Sequence, residues 1–137
     1  MIEGWVENTY WVVFEEPKEA LRLTEGYGIG EYLPGYRLVA LRNWDDFVVA
    51  DAEGRHFLIP TVPLEPTQLA PFDFAVELEG IERDGRLEEK IKWYVKPLVF
   101  GGDPEAKDNL AWVTPEQHVE VVRWWAGFYR EEFAPKE

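Results

Sequence analysis

Residue types able to carry catalysis are few in this chain, and their spacing groups none of them. There are two histidines, His56 and His118. His56 lies inside the apolar run His56–Pro60, where a histidine is ordinarily a structural group satisfied through a ring hydrogen bond. His118 falls in the first turn expected for the last helix. The chain has no serine and no cysteine. Ser-His-Asp catalysis, a thiolate nucleophile, cysteine-ligated zinc and a disulfide framework are therefore excluded. Thr9, Thr24, Thr61, Thr67 and Thr114 stand in no recognisable motif. Carboxylates occur as neighbours, at Glu15–Glu16, Asp45–Asp46, Glu88–Glu89 and Glu131–Glu132. Glycosidase chemistry needs two acids facing each other across a cleft, whereas adjacent strand residues point to opposite faces. The run Asp103–Asp108 lacks the glycine and the acid spacing of a calcium loop. Gly28, Gly30 and Gly35 do not form a nucleotide-binding G-x-G-x-x-G. The residues thus predict no catalytic set, no metal and no cofactor.

Charge points to a partner rather than a reaction. Fourteen Lys and Arg face 27 Asp and Glu, a formal net charge of −13 in 137 residues, and both halves of the chain are acidic. A nucleic-acid binder must neutralise phosphates with a basic patch, so nucleic acid is excluded as a partner. Anionic membrane is repelled for the same reason, and no apolar stretch approaches the 18 residues of a membrane span. The field would speed the approach of a basic protein, or it serves solubility alone. Lys90, Lys92 and Lys96 form the one basic stripe, read as a solvated sheet face balanced by nearby acids. The N-terminal Met1–Trp5 has no basic segment followed by an apolar run, so no signal peptide is expected; with the lack of cysteine, this points to the cytoplasm.

Seven tryptophans supply the other candidate groups. Indoles favour places that are apolar on one side and polar on the other, which describes core edges and binding surfaces alike. The Trp44-Asp45-Asp46 loop joins an aromatic anchor to acidic charge and is the expected partner-binding surface; Trp44 as a plug at the sheet edge is the alternative. A competing arrangement is an aromatic ligand pocket between the sheet and the last helix, built from Trp93, Trp112, Trp124 and Trp125 with His118.

The elements that must position these groups follow from pattern. Residues 5–14 read as one β-branched and aromatic strand. Pro17 suits the first turn of a short helix over Pro17–Thr24, with Gly26 as its stop. Tyr36–Leu41, Phe47–Ala50 and His56–Pro60 read as a meander, the last two strands joined by a hairpin loop with Gly54 in the left-handed conformation. Four prolines make residues 60–72 irregular, with a turn of helix expected after Thr67, and residues 73–82 fit strand or helix equally. Alternation over Lys90–Phe100 predicts a strand with Pro97 at an edge or bulge, and Asn109–Val113 a short return strand. Thr114, Pro115 and Gln117 form a capping box opening a helix to about Glu132, with Val119, Val122, Ala126, Tyr129 and Phe133 on one face and Trp125 beside them. The expected fold is α+β, one domain over residues 1–137, with an antiparallel sheet of about five or six strands, a short N-terminal helix and a long C-terminal helix.

Two stretches resemble known families. Glu31-Tyr32-Leu33-Pro34-Gly35-Tyr36, the apolar strand to Leu41, the acidic turn, Phe47–Asp51, the glycine turn and Phe57–Pro60 ahead of Pro63–Pro66 together resemble the SUKH superfamily. Its members are often bacterial immunity proteins that bind and block toxins. The usual N-terminal helices are missing, and Asn43–Asp46 stands where the family has a glycine-rich turn. The resemblance implies a non-enzymatic protein that binds another protein, a toxin, and with the acidic charge of this chain the expected toxin is basic; it assigns no site residues and no oligomeric state. Pro97, Gly101-Gly102, Asp108–Leu110 and His118 resemble a stripped HNH nuclease motif. That motif needs a histidine just before the proline, where this chain has Tyr94, Val95 and Lys96, so only Asn109 and His118 carry over and the attacking water lacks a base. Purified protein incubated with plasmid and a divalent metal is expected to leave the DNA intact. Cleavage that disappears in His118→Ala would overturn this reading.

Overall fold

The computed structural model describes residues 1–133. The chain builds an α+β fold around a six-stranded antiparallel meander in simple sequence order. Its strands are β1 (Ile2–Val6), β2 (Thr9–Val13), β3 (Arg37–Arg42), β4 (Asp46–Ala50), β5 (His56–Pro60) and β6 (Ala70–Pro71). Helices α1 (Pro17–Tyr27) and α2 (Ile29–Tyr32) lie between β2 and β3. A separate antiparallel ladder of β7 (Ile91–Tyr94) and β8 (Leu110–Val113) leads into α3 (Pro115–Phe133). The expected sheet, short first helix and long last helix are all present.

Both faces of the main sheet are covered, which explains why β2 and β4 read as continuous apolar runs instead of alternating ones. On one face Tyr10, Val12, Leu41, Phe47, Val49 and Ile59 pack with Leu23 and Tyr27 of α1 and Val122 and Ala126 of α3. On the other, Trp11, Val13, Ala40 and Val48 are covered by Phe72, Phe74, Val76 and Leu78. A register shift between Leu38 and Ala40 places Leu38 and Leu41 on the helix side and Ala40 on the other. The segment that fitted strand and helix equally is thus an extended strap without ladder partners up to a 3-10 turn at Leu78–Gly80. Its period-two apolar residues pack onto the sheet without joining the ladder, and only Glu82 bridges to Trp5. Gly4 permits that approach, because a Cβ on it would lie 2.2 Å from the Glu82 carbonyl oxygen.

Several boundaries differ from the sequence reading. Residues 5–14 are not one strand. The polar pair Glu7–Asn8 turns the chain back, with Glu7 at φ 57°, and β1 pairs with β2. Helix α1 runs through Gly26 to Tyr27, because the Tyr27 ring is driven into the core against Phe47, 4.8 Å between centroids. Gly28, at φ 74°, then ends it. The 3-10 turn near Thr67 begins one residue earlier, at Pro66. The alternating stretch Lys90–Phe100 yields only the four-residue β7. Pro97 cannot donate to a ladder, and Leu98–Phe100 close into a 3-10 turn. The capping box forms as expected, with Thr114 N–H donating to Gln117 Oε1 at 3.0 Å and Gln117 N–H to Thr114 Oγ1 at 3.1 Å. Of the face expected to be buried on α3, Val122 and Ala126 are fully enclosed, while Phe133 at its end is exposed.

Phe47 is completely enclosed between the sheet and α1. Phe47→Ala is expected to cost about 3–5 kcal/mol, read from urea unfolding midpoints at an unchanged slope.

Candidate functional site

The β3–β4 connection is a tight turn in which Asn43 and Trp44 both take positive φ, 48° and 62°. Asn43 is fastened to β2 on both sides: its N–H donates to the Tyr10 carbonyl at 2.8 Å, and its side-chain oxygen accepts from Tyr10 N–H at 2.9 Å. A left-handed tryptophan is costly and persists only where its surroundings hold it. Here the indole turns inward, stacks on Tyr10 (4.5 Å, 20°) and meets the rings of Trp5 (6.2 Å) and Trp112 (5.3 Å) edge to face. Trp44 is therefore a buried plug, 7% exposed, and not the solvent-facing anchor that the Trp44-Asp45-Asp46 reading required. The apolar pull of the Tyr10 and Trp5 rings, brought together by β-pairing across 34 residues of sequence, decides this; local sequence contains no sign of it.

With Trp44 turned in, the two acids after it stand at the mouth of a notch. Its walls are Pro60 at the end of β5 with Thr61 and Val62 after it, Trp93 and Tyr94 of β7, and the Pro97–Val99 turn. Thr61 N–H donates to the Asp45 carbonyl at 2.8 Å, fixing one wall to the turn. The notch encloses about 180 Å³. A cavity of roughly 150 Å³ accommodates benzene, whereas sites for drug-sized ligands run to about 300–1,000 Å³. The notch is therefore of the size of one inserted side chain. Among the described residues, neither carboxylate accepts a hydrogen bond; Asp46 has only Arg42 at 4.0 Å, and Lys92 leans over the Tyr94 ring, 5.1 Å from its centroid. Asp45 keeps solvent on one side, yet desolvation by the surrounding protein raises its carboxyl to about 6, against the pull of Lys92 and with the neighbouring Asp46 adding to the rise. Desolvation raises Asp46 too, against the pull of Arg42. The two acids are thus under-compensated for charge where they stand.

The other predicted pocket does not assemble. His118 is fully buried, its Nδ1 2.7 Å from the Tyr27 hydroxyl and its ring edge-on to Trp93 at 5.7 Å. Burial pushes it down to about 3, so it stays neutral at physiological pH and is a core histidine. Trp93 contributes both to that core and to the notch. Trp112 packs on Trp44 and lines a shallow groove with Arg86 and Leu87. Trp124 lies on the outer side of α3, 60% exposed, while Trp125 beside it is half-buried against the core. Helical spacing separates His118, which faces the core, from Trp124, which faces solvent. Asn109, the other residue of the nuclease resemblance, ties its loop together instead: it accepts from Lys96 N–H at 2.7 Å and donates to the Lys96 and Asp103 carbonyls.

A larger cavity of about 650 Å³, which sequence reasoning did not anticipate, lies between α1, the β1–β2 hairpin and the 83–91 segment. Its walls carry Glu3, Glu19, Arg22, Arg83, Glu88, Glu89 and Glu116, which are scattered along the chain and become neighbours only through the fold. Its most buried acid is already engaged: Glu3 accepts from the Tyr10 hydroxyl at 3.0 Å and from Glu89 N–H at 2.7 Å. The Met1 amine pairs with Glu19 at 3.2 Å. Among the described residues no group of three or more His, Asp or Glu is placed to hold a metal ion, and no helix is long and apolar enough to cross a membrane.

No family model, no curated protein and no solved structure matches this chain.

The raised Asp45 carboxyl fixes the sign of a pH effect. Between the ordinary aspartate range and about pH 6 the folded chain holds a proton that the unfolded chain has released, so Asp45 destabilises the fold once ionised above that window. Asp45→Asn is therefore expected to raise the melting temperature at pH 7.5, with the gain shrinking as pH falls through 6 and vanishing near 4. A gain independent of pH would refute the assignment.

Proposed function

We propose that the chain is a non-enzymatic, acidic protein-binding module that docks a basic protein, of the immunity type implied by the SUKH resemblance of residues 16–78. The supporting observation is the notch: two under-compensated carboxylates beside apolar walls, in a chain of net charge −13. Such a notch takes a Lys or Arg side chain, whose methylene stem lies along Pro60, Val62, Leu98 and Val99 while its charged head meets Asp45 and Asp46. The distributed negative charge steers the encounter, and the notch sets the register. A cytoplasmic location agrees with the lack of cysteine and belongs to the same proposal.

The second reading, a small-ligand protein, is favoured by one observation, the 650 Å³ cavity, whose size falls in the ligand range. Its walls carry many charged side chains beside Phe14 and Tyr27 and none of the tryptophans, unlike the pocket expected from them.

The test is affinity capture by the immobilised chain from native lysate and secreted fraction at low and high salt, followed by titration of the purified partner. A basic partner is expected, bound more weakly at high salt, and the double variant Asp45→Asn/Asp46→Asn is expected to lose about tenfold or more in affinity. A partner whose affinity ignores both salt and the double variant would defeat the proposal. A small-molecule screen that raises the melting temperature through the 650 Å³ cavity would favour the second reading instead.

A further inference from the structure

Among the described residues no element covers an aromatic and acidic stripe on the outward side of α3, where Glu120, Trp124 and Glu132 are exposed and Phe128 is half-buried. Glu120, Trp124, Phe128 and Glu132 recur every four residues, so they line one side of the helix. The Trp124 and Phe128 rings stack at 5.4 Å with 6° between planes, and Trp125 stands edge-on to Trp124 at 4.8 Å. Phe100, directly after the notch residues Leu98 and Val99, supports this layer at 4.8 Å from Trp125 and 5.3 Å from Phe128. The apolar surface is therefore continuous along the chain with the notch wall, and Leu98, Val99 and Trp124 are all exposed.

Charge selects what can cover it. Both arginines of α3 are turned to the other side. Arg123 donates to the Gly26 carbonyl at 3.1 Å and meets Glu31 at 3.3 Å. Arg130 donates to the Leu64 carbonyl at 2.7 Å, pairs with Glu65 at 3.6 Å and lies 3.5 Å over the Tyr32 ring. The stripe is left with exposed Glu120, Glu131 and Glu132 and no cation of its own helix. A second copy would set these acids against their own images in an isologous contact. An anionic lipid surface is repelled likewise.

We propose that the Glu120–Trp124–Phe128–Glu132 stripe docks a cationic amphipathic helix of the partner protein, with apolar residues on Trp124 and Phe128 and Lys or Arg at each end against Glu120 and Glu131–Glu132. This rests on the protein-binding reading above and names a second contact beside the notch. The two acidic ends are about 18 Å apart along the helix, which sets the spacing of the partner's cations.

The probe is a synthetic amphipathic helix with a leucine centre and Lys/Arg pairs about 18 Å apart, titrated against tryptophan fluorescence of the full chain. Its charge-reversed twin, with Glu for every Lys and Arg, and phosphatidylcholine vesicles are run beside it. The cationic peptide is expected to bind, to weaken about tenfold with Trp124→Ala, and to weaken as far with Glu120→Lys/Glu132→Lys, while melting temperatures hold because these side chains are exposed. The inference is overturned by equal binding of the twin or the vesicles, by undiminished binding to either variant, by no binding at about 1 mM peptide, or by a dimer in sedimentation that Trp124→Ala dissolves. Failure of the wider reading looks different. A captured partner weakened by Asp45→Asn/Asp46→Asn but indifferent to the stripe variants removes the stripe and leaves the module. A partner indifferent to both sets removes both.

Discussion

The inward turn of Trp44 is the contact on which the arrangement of this molecule depends. A tryptophan at φ 62° pays a backbone cost, and its indole N–H is buried without an acceptor among the described residues. Against this stand a stacked tyrosine and two edge-on indoles, each such aromatic pair contributing roughly 0.5–1.5 kcal/mol beyond area burial. The four rings come from β1, β2, the β3–β4 turn and β8, so one side chain joins the main sheet to the second ladder. The same turn carries Asp45 and Asp46 to the notch.

The second organising feature is Tyr27. Its hydroxyl meets His118 and its ring meets Phe47, so α1, β4 and α3 converge on one buried residue. Desolvation raises the phenol well above its ordinary range and lowers the imidazole, so the pair stays neutral as a hydrogen bond and is not an ion pair. A histidine that looked available for chemistry is thereby held in the core, and the polar groups left for function lie at the margins of the sheet and on the outside of α3.

Charge and apolar surface are distributed to match. Arg123 and Arg130 fasten α3 to the first half of the chain, and each is used in folding. The acids of α3 remain outside beside its exposed aromatics. Unbalanced negative charge and stacked rings thus share one surface, and it is on this combination that the proposed basic partner rests.

Sequence by itself determined the elements whose cause is local. The meander over β3–β5, the Gly54 turn and the capping box of α3 follow from turn chemistry, period and capping, which neighbouring residues decide. It also determined the charge, the lack of serine and cysteine, and the placement of two acids after Trp44. The tertiary structure alone decided what depends on distant partners. Trp44 and His118 turned inward because Tyr10 and Tyr27 reach them from elsewhere in the chain. Residues 72–78 became a strap because a sheet face needed covering, a demand that leaves period two in the sequence but names no pairing partner. The notch required β5, β7 and the Pro97 turn to meet one hairpin. The open stripe on α3 could be recognised only once Arg123 and Arg130 were seen to face away, since helical spacing shows which residues share a side but not which side the core takes.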